Sequence, residues 1–507
     1  MNSCKRTNGL TLVQVLHLLR RRPQNDQGKW GMISRLVTGV IGRYRQGSKF
    51  AGAVLSLGLV VGSLNILLWT SAVQAAPEPK FQGIPLQCYL DEVNQPGIPA
   101  NVKVGGLLEI ANKYQEAQAT KTTLDVLGQS AVTANTIDNP STRAFALQEI
   151  AHNYSRNNSP TAAVALLDQA VPLINQFNDP IDQAFAKIKV AYEYQQAAQN
   201  AAGVKLLESA LTDAQQIADP YARARALTAV ANVFTELGQD FQSEVALKTA
   251  TANLEAISDA QTQARIRVEV AGSYALAQND TQSVQWLKQA FATLDKDTTL
   301  EAAAKADFKA KAFGLVAAEY IQGKNLAQAL QVINNIADDS IEKPLGLVKL
   351  AEKYRPTDAA KSKLLLEDTV NKLTPLPMNV EKVLAYGEVA RQYRELGDKS
   401  AAQLALQSAT RFIAGITNNE EKIFVMTNIA NNYSELGQKS SAETLLAQAA
   451  SLAANVTDSA TKSRALADIS GVYWAAGNKI KAQNTLTQIT NTIEKDSLAK
   501  LFTCAGS

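Results

Sequence analysis

Between residues 101 and 493, apolar side chains return every three or four positions, the spacing that lines one face of a helix. A longer period is superimposed on it. An aliphatic residue, a small residue, any two residues and an aromatic recur, first as Ile110-Ala111-Asn112-Lys113-Tyr114 and then as blocks ending at Tyr154, Tyr194, Phe234, Tyr274, Tyr320, Tyr354, Tyr393, Tyr433 and Tyr473. The aromatics are separated by 40, 40, 40, 40, 46, 34, 39, 40 and 40 residues, so the irregularity is confined to repeats six and seven. Ten copies in one frame identify a repeat array.

Other columns lock to the same frame. Nine residues after the aromatic stands a small side chain, as at Ala163, Gly203, Ser243 and Ala442, with Lys363 the exception in repeat seven. Thirteen after it stands Leu127, Leu167, Leu207 or an equivalent. Asp179-Pro180 and Asp219-Pro220 read as an N-cap followed by Pro at the first helical position. Gly238, Gly397, Gly437 and Gly477 fall four residues past the aromatic, where a helix should stop. Each repeat is therefore expected to be a helix A and a helix B of about 16 residues each, with a short turn between them. One such pair cannot bury its apolar face alone, but a stack of pairs can, and the array is expected to be all-α. In repeat seven, Tyr354 precedes Arg355-Pro356, so helix A should stop at Tyr354 or Arg355, and Lys363 should disturb the small-residue contact.

The phrase Ile429-Ala430-x-x-Tyr433-x-x-x-Gly437, followed by Ala442, Leu446 and Ala449, resembles the tetratricopeptide repeat in the order and spacing of its small, aromatic, Gly and Ala positions. The period of 40 rather than 34, the missing early Trp and the displaced closing Pro depart from that pattern. The resemblance covers residues 102–493 and implies a right-handed α-solenoid of about ten two-helix repeats. It also implies a concave groove lined by helices A, with the column two before the aromatic facing a protein or peptide ligand. That column contains Asn112, His152, Tyr192, Asn232, Arg391 and Asn431. The Asn amides would suit an extended peptide backbone; a solvated helix face is the plainer alternative.

Charge divides the chain. Residues 1–50 carry ten Lys or Arg against Asp26, and residues 51–75 carry no charge. The remainder holds 40 basic and 46 acidic residues, which argues against nucleic acid as a partner. Residues 1–49 are expected to be a disordered basic segment. Residues 50–75 are expected to be a signal peptide ending in Val73 and Ala75 at the −3 and −1 sites, or else a retained membrane anchor. Either one places the body outside the cytoplasm, and Met32 competes with Met1 as the start. A linker over 76–100, the array over 101–493 and a tail over 494–507 complete the expected organisation.

The sequence contains no catalytic motif, and two His and three Cys supply neither a metal site nor a disulfide framework. We expect no enzyme, cofactor or metal. Eleven before the aromatic runs a basic column, Lys103, Arg143, Arg223, Lys309, Lys343, Lys382, Lys422 and Lys462, in the first turn of helix A. A cation there opposes the helix dipole. The column is expected either to ladder to acids or to the carbonyl ends of the preceding helix B, or to form a basic edge for an anionic polymer or membrane surface. The main expectation is an extracytoplasmic scaffold with a protein or peptide in its groove; envelope-structural recognition through the basic edge is the alternative. Cys88 and Cys504 flank the array, and an open stack would hold them tens of ångströms apart at about 8–10 Å between neighbouring helices. No Cys88–Cys504 bond within one chain is expected.

Overall fold

The computed structural model describes residues 78–506, apart from Gln82 and Asn253. The basic segment, the apolar stretch 50–75 and the two alternative starts lie outside the described residues. A two-residue hairpin, β1 (Lys80–Phe81) and β2 (Ile84–Pro85), leads into α1 (Leu86–Val93). Ten helix pairs follow, with even-numbered helices as A and odd-numbered helices as B. They are α2/α3 (Ala100–Glu116, Thr120–Ala134), α4/α5 (Pro140–Arg156, Pro160–Ile174), α6/α7 (Pro180–Gln196, Asn200–Gln215), α8/α9 (Pro220–Glu236, Asp240–Thr251) and α10/α11 (Ala260–Leu276, Asp280–Lys296). The second half comprises α12/α13 (Ala302–Gln322, Leu326–Asn334), α14/α15 (Glu342–Tyr354, Ala359–Leu373), α16/α17 (Val380–Glu395, Lys399–Ile413), α18/α19 (Asn419–Glu435, Lys439–Ala454) and α20/α21 (Ser459–Ala475, Lys479–Thr487), and α22 (Thr492–Gly506) ends the fold.

The punctuation does what the residues ask. Asn139, Asp219, Asp259, Asn379, Asn418 and Asp458 each accept a backbone N–H at the start of a helix A, and Asp179 does the same two residues into α6. Every A-to-B turn of repeats one to six and eight to ten passes through a left-handed residue four after the aromatic. It is glycine at 238, 397, 437 and 477, but Gln118, Asn158, Ala198, Gln278 and Lys324 hold the same positive φ. Repeat seven lacks this turn: α14 stops at Tyr354 itself, as Pro356 requires, whereas the other helices A run two residues past their aromatic. Lys363 does not disturb the contact as expected. The shorter turn advances helix B by one residue, so fully buried Ser362 takes the small slot and its Oγ donates to the Ala351 carbonyl at 2.8 Å. Lys363 turns outward to Asp398.

Successive helices A pack on one another, while each helix B packs on the helices A to either side. This places helices A on the inside of the curve and helices B outside. The buried core is built from the repeat columns: Ile110, Ala111 and Tyr114 in the first repeat have buried counterparts in the later ones, except that Tyr154 and Tyr354 are half-buried.

The two ends of the solenoid meet, which overturns the expectation for the cysteines. Cys88 and Cys504 are disulfide-bonded with Cα atoms 5.9 Å apart, 416 residues apart in sequence. The stretch expected to be a linker carries the hairpin and α1, and the expected tail is part of α22. α22 starts as an eleventh helix A, with Asn491 capping it and Lys495 Nζ donating to the Thr487 carbonyl. It packs on α1 and β2, Ser497 Oγ donates to Glu92 Oε1 at 2.6 Å, and one apolar core runs across the seam through Leu86, Tyr89, Leu498 and Phe502. Gly83 lies against Trp474, which stacks on Phe502 with ring centroids 4.2 Å apart. An open stack would hold the ends far apart; rotation accumulated from repeat to repeat brings them together.

Candidate functional site

At 100° per residue, positions 0, −3, −4, −7 and −10 relative to the aromatic face helix B. The opposite side of helix A is formed by the columns nine before, five before and two after the aromatic. These columns line the interior and carry Phe145, Phe185, Arg225, Leu384 and Phe424, then Glu149, Lys189, Glu269, Lys349 and Glu388, then Arg156, Glu236, Gln322, Glu395 and Glu435. The same angular arithmetic was available from the sequence. The column two before the aromatic lies at the border of this face, and its side chains bond either to the next helix A, as Asn112 and His152 do, or within their own helix, as Arg391 and Asn431 do.

Each residue of that column has a definite place. Asn112 Oδ1 accepts from Arg156 Nη1 at 3.0 Å. Buried His152 meets Glu193 Oε1 through Nδ1 at 2.8 Å, and burial raises the Glu193 pKa against the pull of the imidazole. Tyr192 is buried. Asn232 is half-buried, with its Oδ1 enclosed. Arg391 is clasped by Glu388 and Glu395, and buried Asn431 donates to Glu435 Oε1 at 2.6 Å. The column is thus distributed along a polar seam between repeats and does not converge on one spot.

The basic column serves the fold. Arg223 donates to the Ile217 carbonyl, Lys343 to Asn334, Lys382 to Thr374 and Leu376, Lys422 to Ala414 and Lys462 to Ala454, all at or just past the end of the preceding helix B. Gln183 and Gln263 do the same with Ile174 and Ile257. Lys309 pairs with Asp295, Lys343 also reaches Asp338, and Lys103 and Arg143 are half-buried in the equivalent positions. A cation at a helix C-terminus satisfies otherwise orphaned carbonyls, which offsets its poor fit at the start of helix A.

Further along, the interior is a run of ion pairs and carboxyls. Lys189 faces Glu149 at 3.8 Å and Arg225 faces Glu269 at 3.6 Å. Gln322 donates to Glu236 at 3.0 Å, and in repeats seven to nine Arg355 pairs with Glu395 and Arg394 with Glu435. Glu319 lies where Gly272 leaves room: a Cβ there would come within 3.2 Å of its Cγ. Burial, then Glu269 and Glu236, push the Glu319 carboxyl up to about 8. Among the described residues, no group of three or more His, Cys, Asp or Glu is placed to hold a metal ion, and no helix is long and apolar enough to cross a membrane. The wall offers donors and acceptors on rigid helices, one repeat apart.

Ten helix pairs with helices A inside and B outside decide the architecture. The chain is a TPR-like α-solenoid. No protein-family model matches it, and no curated protein does. Similar solved structures include Ton1535 from Thermococcus onnurineus NA1, at 14% identity over 72% of this chain and 98% of that one, TM-score 0.31. A kinesin light chain with nearly identical TPR-like repeats from Podosopora anserina matches at 20% identity over 40% of this chain and 99% of its own, TM-score 0.30. Yeast Tom70 matches at 10% identity over 80% and 95%, TM-score 0.26.

Proposed function

We propose that this TPR-like solenoid is a non-catalytic, extracytoplasmic scaffold that binds a protein or peptide partner against its inner wall. The observation that carries this is the wall itself: ten helices A present three columns of polar, charged and aromatic side chains away from helix B, on a backbone held rigid by the repeat contacts. Five of the eight basic-column side chains are occupied by helix-end carbonyls, which favours the wall over the edge as the binding surface. The basic segment, the uncharged stretch 50–75 and the small residues after it support export. The Cys88–Cys504 bond suits an oxidising compartment.

The test is photo-crosslinking in cells from Lys349, exposed on the wall in α14, against Gln407, exposed on the outer helix α17. A specific partner captured from position 349 and absent from 407 is the expected result. Equal capture from both sites, or none from the wall, would remove the proposal. A C-terminal phosphatase fusion should be active; an inactive one beside an active cytoplasmic reporter would remove the location.

A further inference from the structure

The seam between α1 and α22 differs from every other joint in the solenoid. Elsewhere helices A of 13 to 21 residues meet one another within a continuous chain. At the seam, eight-residue α1 and the hairpin meet α22, with 416 residues of chain between the two cysteines that join them. Beyond the disulfide, the polar contacts across it include Ser497 to Glu92 at 2.6 Å and Lys500 to Glu92 at 3.9 Å. The interior is therefore the lumen of a closed circuit, sealed by one covalent bond.

The circuit also limits what can enter. Ten helices A with α1 and α22, at about 8–10 Å between neighbouring axes, give a perimeter of roughly 100–120 Å and a lumen of roughly 20–25 Å once a helix radius of about 5–6 Å is removed on each side. An extended strand or a single helix, about 10–12 Å wide, passes through. A folded domain of about 100 residues, with a radius of gyration near 13 Å, does not.

We propose that the partner of the inner wall is an extended polypeptide segment, and that the α1/α22 seam is its gate: end-on entry while the Cys88–Cys504 bond is intact, side-on entry once that bond is reduced. The proposal rests on the wall being the binding surface. Reduction needs an external dithiol. Its thiolate attacks Cys504 Sγ, which is half-buried, whereas Cys88 is 4% exposed. The Cys88 thiolate leaves, the second thiol of the reagent resolves the mixed disulfide, and two electrons and two protons end on Cys88 and Cys504 while the reagent becomes a disulfide. The short joint then has only its non-covalent contacts and opens before any repeat–repeat joint.

The experiment needs no partner. A cysteine is placed on the wall (Lys349→Cys) or outside (Gln407→Cys) in the oxidised chain, and in the same chains carrying Cys88→Ser and Cys504→Ser. Labelling rates are compared for a maleimide on an unfolded Gly/Ser peptide of about 20 residues and one on a folded domain of about 100 residues. In the oxidised ring the folded probe should label position 349 an order of magnitude more slowly than the peptide, with no difference at 407. The double serine variant should erase the difference. Hydrogen exchange of the wild type, oxidised against reduced, should rise selectively in α1 and α22. Equal rates for both probes at 349 in the oxidised ring would overturn the narrow closed lumen. An unchanged ratio in the variant, with unchanged exchange at the seam, would overturn the gate. Failure of crosslinking from the wall would instead remove the binding surface and leave these rates as they are.

Discussion

Glu319→Gln isolates what the interior carboxyl does to stability. Glu319 is 5% exposed, its Oε2 has no hydrogen-bond partner, and burial followed by Glu269 and Glu236 pushes its pKa from 4.5 up to about 8. In the unfolded chain the group titrates near its ordinary value of about 4.3. Between these values the folded state holds a proton that the unfolded state has released. Stability from the neutral acid is therefore complete below about pH 4 and is lost as the pH rises towards about 8. The rise from 4.5 to about 8 is worth at most roughly 5 kcal/mol at about 1.4 kcal/mol per pH unit. Relaxation and water entry reduce the expected difference to about 2–4 kcal/mol across that range. Gln keeps the shape and stays neutral, so variant and wild type should match most closely near pH 4, and the variant should be increasingly more stable towards pH 8. Urea unfolding followed by circular dichroism across that range reads this difference, and the other raised carboxyls, such as Glu193 and Glu494, cancel in the comparison. A difference that is flat with pH, or that grows in favour of the wild type, refutes the reasoning.

Lys382 is 1% exposed and donates to two carbonyls past the end of α15, so Lys382→Met should cost about 1–3 kcal/mol in urea unfolding by leaving those acceptors unmet. Lys382→Gln should cost less, because Gln183 and Gln263 do the same task in other repeats. Ala198 holds φ 60° where four other repeats place glycine, so Ala198→Gly should be neutral to about 1 kcal/mol stabilising by thermal or urea unfolding. Cys88→Ser with Cys504→Ser should lower stability by about 2–5 kcal/mol, since the bond closes a loop of 416 residues, and should let the ends unfold before the middle.

The repeat, its helix pairs and their caps were legible because each is enforced locally. Asp219 caps and Gly238 stops a helix whatever the rest of the chain does. The early stop at Tyr354 followed from Pro356 for the same reason. What escaped was set by accumulation or by register. Curvature adds up over ten joints and leaves no mark on a 40-residue period, so the meeting of Cys88 with Cys504 had no sequence signal. One residue fewer before α15 moved Ser362 into the slot assigned to Lys363. The lining columns were within reach of helical arithmetic, but Glu319 became buried only because Gly272, on a neighbouring helix, leaves space for it.

Closure of the solenoid is the claim on which the inner wall, its lumen and its gate all depend. Peptide mapping of the non-reduced protein, purified from cells with its thiols blocked at lysis, tests it most directly. A monomer yielding a linked pair of peptides containing Cys88 and Cys504, and migrating more slowly on denaturing gels after reduction, is the predicted result. Two blocked free thiols in the monomer, or linkage found only in a dimer, would contradict it.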